Sequence, residues 1–483
     1  MNRNKYLPFW LITLAVMIGL PLVTLIQDGM FMDAMLYTSV AHNQAHGFGT
    51  FWFPQFSKLN LDLPGFNSFH EQPPLAFGIE SLFFRVLGNS MYVERFYVLV
   101  TMCLTAWLIY RLWQEVYKNE VTLRRLGWLP LLLWITIPTV FWGCSNNVNE
   151  NTMGIFTLAS VLVSFRLLQR DARNLFAWML VGLLIFLATF TKGFPGFFPI
   201  VVPVVYWFAT RRISAGRAFG YSTLLLAVPL AIYGILFLVP ESRDSLSIYL
   251  FKRALLRITS DPTTSNRFAS LVNLFMDLLP QLGLLLIIVL VARAKKIKAA
   301  YTGGQGGLIL FFLLTGLSAT APLMLTMVQK AFYLLPGFPF FAIGTGMLLA
   351  PYISRFTEKM QTGSKGFRIF RGISVLLLCS AITVVGLQAG KVGREKDVLH
   401  DVYAIGKLLP EHSVIGINQR DFYIDWELQC YLMRYFFISV DFKPGKPLTY
   451  FILDKSLKTD TDLSRYKKME LGLEKYDLYK LEP

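Results

Sequence analysis

Charge is what this chain has least of for its length. Only 16% of its 483 residues are Asp, Glu, Lys or Arg, while 54% are hydrophobic; a water-soluble chain carries about 25% charge. A soluble multidomain protein is therefore excluded. Cysteine is scarce as well. Cys103, Cys144 and Cys379 fall in or at the ends of apolar runs, Cys430 stands alone, and no CxxC spacing occurs, so neither a disulfide framework nor a cysteine-built metal site follows. Internal repeats, low-complexity tracts, a P-loop and a GxGxxG are all missing. Their absence argues against ATP-driven or nicotinamide chemistry.

What is present is a series of uncharged runs of roughly 16 to 22 residues, each long enough to cross a hydrocarbon layer about 30 Å thick. They run over residues 7–26, 96–110, 128–144, 151–165, 175–191, 194–210, 218–240, 278–292, 308–329, 331–354 and 372–390. These predict an all-α polytopic membrane protein of about eleven transmembrane helices. The net charge of +16 comes from basic clusters between the runs, which is topology information rather than a phosphate-tracking stripe, so no nucleic-acid partner is expected. Threading from a cytoplasmic N-terminus puts Arg124 and Arg125, Arg166 and Arg170, Arg211 and Arg212, Lys295 and Lys296, and Arg368 and Arg371 inside. The opposite turns hold only isolated Lys192 and Lys330. With an odd number of spans the C-terminus lies outside.

Two outer segments are too long to be simple turns, about 27–95 and 241–270. Within the first, 73–88 is apolar but short and carries Glu80 and Arg85, which suits an interfacial helix on the outer leaflet. After Gly390 the composition turns mixed. Helical spacing at Val398, Val402, Ile405 and Leu409 precedes strand-like 413–417, 449–453 and 476–481. The chain is thus divided into a transmembrane domain, 1–390, and a small extracytoplasmic α/β domain, 391–483.

Several clusters on the outer side could carry chemistry. Asp33, Tyr37 and Ala41 form one stripe of a helix that begins after Gly29, with the acid near its positive end; capping alone would also place an acid there, and Asp28 is a rival. His70-Glu71-Gln72-Pro73-Pro74-Leu75 is a polar cluster before a rigid double proline. His42 and His46 have the spacing of a metal pair but no third ligand, and interfacial packing is their expected role. Ser145 to Asn151 is an amide-rich mouth with one acid, Glu150, suited either to sugar hydroxyls or to a wet turn. Lys192 in Thr191-Lys192-Gly193 breaks the charge rule, and a junctional lysine is costly unless it functions or snorkels. Lys252, Arg253 and Arg257 add cations to the second outer segment, fit for lipid headgroups or for a lipid-linked phosphate.

Taken together these residues resemble the lipid-linked-sugar glycosyltransferases of the GT-C superfold, in the bacterial branch that includes the aminoarabinose transferases of lipid A and is related to the protein O-mannosyltransferases. Asp33, Tyr37 and Ala41 match that family's first-loop acid with Tyr at +4 and Ala at +8. Glu71-Gln72-Pro73-Pro74-Leu75 is similar to its E-K-P-P-L motif, and Thr191-Lys192-Gly193 with Gly196 to its T-K-G-x-x-G hairpin. Arg257-Ile258 with Pro280 and Tyr333 to Pro336 resemble two further elements. Gln72 stands where the family often has a phosphate-binding lysine, and Glu150 where a second Asp is usual.

The resemblance implies transfer of a sugar from a polyprenyl-phosphate donor to a lipid, glycan or protein acceptor at the outer face of the cytoplasmic membrane, by inverting displacement. It implies Asp33 and Glu150 as catalytic residues, and Tyr37, Glu71, Gln72, Lys192, Lys252, Arg257 and Tyr333 as substrate-binding ones. No cofactor is required, and a divalent metal ion at Glu71 is left open. The alternative from another class is a transporter or flippase of lipid-linked sugars, which would use the same spans and cations without breaking a bond.

Overall fold

Apolar runs with no water to satisfy their backbone must close every N–H and C=O bond internally, and in this chain they do so as helices. The structure is a computed structural model and describes residues 5–58, 68–256, 262–297, 301, 303–442, 447–456 and 462–482. Among the described residues nine helices are long and apolar enough to cross a membrane: Leu7–Leu25, Tyr92–Val116, Asn149–Gln169, Leu175–Lys192, Ala215–Leu236, Ala269–Ala294, Gln305–Leu325, Ala331–Lys359 and Lys365–Gln388. The protein is a multi-pass membrane protein. Ala331–Lys359 sits at its centre, with 89% of its apolar window buried in protein, whereas Lys365–Gln388 has 6% and turns nearly all of its surface outward.

The two remaining runs are broken helices. Trp128–Ile135 stops and Pro138–Gly143 restarts, because Pro138 lacks the N–H that would continue the ladder. Two side chains one helical turn apart on Ala269–Ala294 close the gap. Asp277 Oδ1 accepts from Thr139 N at 3.2 Å, and Gln281 Nε2 donates to Leu133 O at 2.9 Å. Residues 194–210 likewise divide into a 3-10 turn, Phe194–Val201, and an α-helix, Val202–Thr210. The expected interfacial segment is the helix Leu75–Leu87; its 13 residues rise only about 20 Å, too short to span.

The C-terminal part is a five-stranded sheet of order β2-β1-β3-β5-β4, with β1 (Val414–Ile417), β2 (Ser439–Asp441), β3 (Tyr450–Asp454), β4 (Tyr466–Met469) and β5 (Tyr476–Leu481). β1 runs parallel to β2 and β3, while β5 is antiparallel to β3 and β4. Its helices Lys396–Leu408 and Trp426–Phe436 pack toward the membrane part. One apolar cluster runs without interruption from Leu25, Tyr37, Phe77 and Val98 into Val402, Tyr431, Ile452 and Leu478.

Buried charges fasten this junction. Glu94 takes Arg95 Nη1 at 3.0 Å and Arg434 Nη2 at 2.8 Å, with all three side chains almost fully enclosed. Asp28 accepts from Tyr403 Oη at 2.6 Å, Tyr435 Oη at 2.7 Å and the Gly29 N–H at 2.8 Å. Asp28 is thereby committed to holding the C-terminal helices against the first long loop. Arg434→Met leaves Glu94 with Arg95 alone and should lower stability by up to about 3–5 kcal/mol, the cost of breaking a buried pair outright, read as an earlier thermal transition of the detergent-solubilised protein and faster proteolysis of the C-terminal sheet. An unchanged transition would show that Glu94 does not need Arg434.

Candidate active site

The site is built where the helix Met32–Ala45, the entry to Leu75–Leu87, the start of Asn149–Gln169 and the end of Leu175–Lys192 converge. Asp33 occupies the first turn of Met32–Ala45, and Tyr37 follows one turn later, almost fully buried. Burial, followed by the nearby charges of Asp33, Glu71 and Glu150, pushes the Tyr37 hydroxyl well above the usual tyrosine range. Tyr37 therefore stays a neutral donor, and three acids gather around one phenol.

Lys192 and Glu150 form the core of the site. Their ion pair measures 2.6 Å between Nζ and Oε1, with 6% and 1% of the side chains exposed. The ammonium also faces the rings of Tyr333 at 5.0 Å, Phe332 at 5.7 Å and Tyr37 at 5.8 Å, contacts that hold a desolvated cation through the ring quadrupoles. Glu150 is the carboxylate that pairs with Lys192 in this enclosed place. The hairpin after Lys192 explains the spacing of Gly193 and Gly196. Gly193 has φ +76°, and a Cβ there would collide with the Tyr249 hydroxyl; a Cβ on Gly196 would strike the backbone of Ala188 and Thr189.

Glu71 pairs with Arg253 Nη2 at 3.2 Å, both side chains about a quarter exposed. A divalent ion at Glu71, left open by the sequence, would have to displace that guanidinium, and among the described residues no group of three His, Cys, Asp or Glu gathers to hold one. Gln72 is buried beside it. Lys252, expected to bind substrate, lies on the same short helical stretch, Ile248–Ala254, but is exposed and makes no ion pair among the described residues. Its neighbour Arg253 is the cation turned toward the acids. The sequence expectation rests on Arg257 with Lys252 beside it and leaves Arg253 as one more cation of the segment; neighbouring positions on a helical turn point different ways, and spacing alone does not tell which one faces inward. Arg257 and Ile258 lie outside the described residues.

The amide cluster ties elements together. Asn147 Nδ2 donates to Thr38 Oγ1 and Glu80 Oε1, both at 2.7 Å, and Asn146 Oδ1 accepts from Phe31 N at 3.0 Å. His42 stacks on Phe437 at 4.7 Å and lies 4.4 Å from His46. Its pKa falls to about 2, first through burial and then through the Arg434 charge, so it is a packed neutral ring.

Glu80 was missed as part of this architecture, although an acid in a short apolar helix was the available signal. Burial raises its pKa to about 8 despite the Asn147 bond. The folded protein therefore holds a proton that the unfolded chain releases from about pH 4.5 upward, and stability falls as pH rises through that window to about 8. Glu80→Gln should flatten this part of the stability–pH curve in thermal unfolding; an unaltered slope would clear Glu80. For the central pair, Lys192→Met strands a buried carboxylate and should cost about 3–5 kcal/mol, much of which Glu150→Gln in the same chain should recover. A double variant as unstable as the single one would mean that the pair is not coupled.

Comparison with known proteins follows this geometry. Residues 71–236 match the family described as dolichyl-phosphate-mannose-protein mannosyltransferase. Two curated relatives are similar over 222 residues: the undecaprenyl phosphate-alpha-4-amino-4-deoxy-L-arabinose arabinosyl transferase 2 of Proteus mirabilis (strain HI4320), 22% identical, and the corresponding transferase of Photorhabdus laumondii subsp. laumondii, 21% identical. Each match takes in 45% of this chain and spans 39% of the relative's length. The crystal structure of ArnT from Cupriavidus metallidurans bound to undecaprenyl phosphate superposes with a TM-score of 0.66 at 13% identity, covering 99% of this chain and 98% of that one. Its apo form gives 0.64, covering 97% and 96%. The chain therefore has the fold of that ArnT.

Proposed function

We propose that the protein is an inner-membrane glycosyltransferase that moves a sugar from a polyprenyl-phosphate donor to a lipid, glycan or protein acceptor at the outer face, with the N-terminus inside and the C-terminal sheet outside. The observation that carries this reading is the enclosed Lys192–Glu150 pair, walled by Tyr37, Phe332 and Tyr333 and standing beside an acid-bearing helix start. A transferase needs a carboxylate to take the acceptor's proton, a role open to Asp33 in the first turn of Met32–Ala45, and the names of the similar proteins favour transfer over transport.

In this reading Asp33 accepts the proton of the acceptor hydroxyl as its oxygen attacks the anomeric carbon. The sugar–phosphate bond breaks on the opposite face, giving inversion, and the electron pair leaves with the lipid phosphate. Lys192 and Arg253 neutralise that developing charge, with Glu150 and Glu71 positioning them. Tyr37 and Tyr333 border the same space, and Gln72 supports the Glu71 turn. The Glu71–Arg253 pair supplies charge where a metal ion would otherwise be needed, so the proposal requires none.

Purified protein incubated with labelled polyprenyl-phosphate sugars tests the proposal. Asp33→Asn keeps the shape and should lower transfer about 10²-fold to 10⁴-fold, whereas a flippase would move lipid without releasing sugar and would tolerate the change. Arg253→Ala should weaken donor use about tenfold to a hundredfold, and Lys252→Ala far less. Full transfer by Asp33→Asn would remove the base, and a larger loss at Lys252 would reverse the assignment of the cation.

A further inference from the structure

A second concavity lies in the C-terminal sheet, away from the membrane site. β1 and β3 are parallel neighbours, with Ile417 paired to Ile452, so their carboxyl ends open on the same edge. β5 runs the other way and begins at that edge, Tyr476 facing Asp454. From β1 the chain passes to β2 on one flank and then to β3 on the other. A reversal of this kind leaves a crevice at the strand ends where open α/β sheets hold ligands.

The crevice here is a cavity of about 220 Å³ whose lining includes Glu395, Asp421, Asp425, Glu427, Asp454 and Lys475, five acids to one cation. It is a built site. Asp401 accepts the backbone N–H groups of Glu474, Lys475 and Tyr476 at 2.6 to 2.8 Å, which pins the turn carrying Lys475. Lys475 Nζ reaches Asp425 at 3.1 Å and Asp454 at 3.8 Å. Asp421 is 1% exposed; its Oδ2 accepts from Asn418, while its Oδ1 is buried with no hydrogen-bond partner among the described residues. Burial raises the Asp421 pKa, with the Asp454 and Asp425 charges adding to the rise.

We infer that this crevice binds a small organic amine, its ammonium taken by Asp421 and the carboxylates around it. A bare divalent ion fits less well, because among the described residues no three acidic groups converge closely enough to hold one. The cavity has room for a short-chain amine. Lys475 is an internal ammonium in the same place, and it shows the chemistry that the crevice accepts.

Calorimetric titration of the full-length protein in detergent tests this with 1,4-diaminobutane as the probe, 1,4-butanediol as its neutral isostere and calcium as a bare ion. The diamine should bind once per chain and the diol should not. Asp421→Asn and Asp454→Asn should each weaken the diamine about tenfold or more. Lys475→Met should tighten it, because the ligand then fills the vacated ammonium position, and the diamine should raise the unfolding temperature of that variant more than that of the parent. This gain does not arise from simple damage, so it carries the test if Asp421→Asn fails to fold. Equal binding of the diol, unchanged affinity in folded Asp421→Asn and Asp454→Asn, or one-for-one displacement by calcium at equal or better affinity would overturn the inference.

Discussion

Glu94 and Arg434 are the constraint on which the rest of the structure leans. Both are fully enclosed, and a desolvated charge is tolerable only with an opposite charge in contact. That requirement fixes the helix Trp426–Phe436 against the start of Tyr92–Val116. Asp28, tied to Tyr403 and Tyr435, lies at the head of the loop that leads into Met32–Ala45. The helix carrying Asp33 and Tyr37 is thus clamped between the C-terminal helices and Leu75–Leu87, and the position of its first turn is set from outside the membrane part.

A second buried pair, Lys192 with Glu150, works on the same principle deeper in the fold. Here the partners come from two adjacent long helices, and aromatic faces replace water around the ammonium. Breaks in the transmembrane runs serve this arrangement. The interruption at Pro138 is closed by Asp277 and Gln281, and the short helix it releases leads directly into Ser145 to Asn147. Those amides then join Met32–Ala45 to Leu75–Leu87 through Thr38 and Glu80. Of the amides that look in sequence suited to sugars, Asn146, Asn147 and Asn151 are occupied in holding the walls of the site.

Much of the fold was legible because its physics is local. Length and hydropathy identify the runs, and the three strands rich in apolar and aromatic residues, two of them continuous buried runs and one alternating, were found almost to the residue. β2 and β4 were not, since one is three residues long and the other, Tyr466–Met469, carries two lysines on an edge; neither offers a periodic signal. The spacing of Asp33 and Tyr37, the rigid Glu71-Gln72-Pro73-Pro74 turn and the lysine out of place at 192 were visible for the same local reason.

The sequence by itself determined that this chain crosses a membrane many times, where its basic turns lie, and which outer segments hold acids and cations. Only the tertiary structure decided the partners: Glu150 for Lys192, Arg253 rather than Lys252 for Glu71, two tyrosines from the C-terminal helices for Asp28. Hydropathy and helical period act over a few residues and are written along the chain. Ion pairing acts through space between groups more than 40 residues apart in the first case and about 180 in the second, hydrogen bonding between groups 375 and 407 apart in the third, and both depend on which way each helix is turned when the core closes, a phase that no local pattern records.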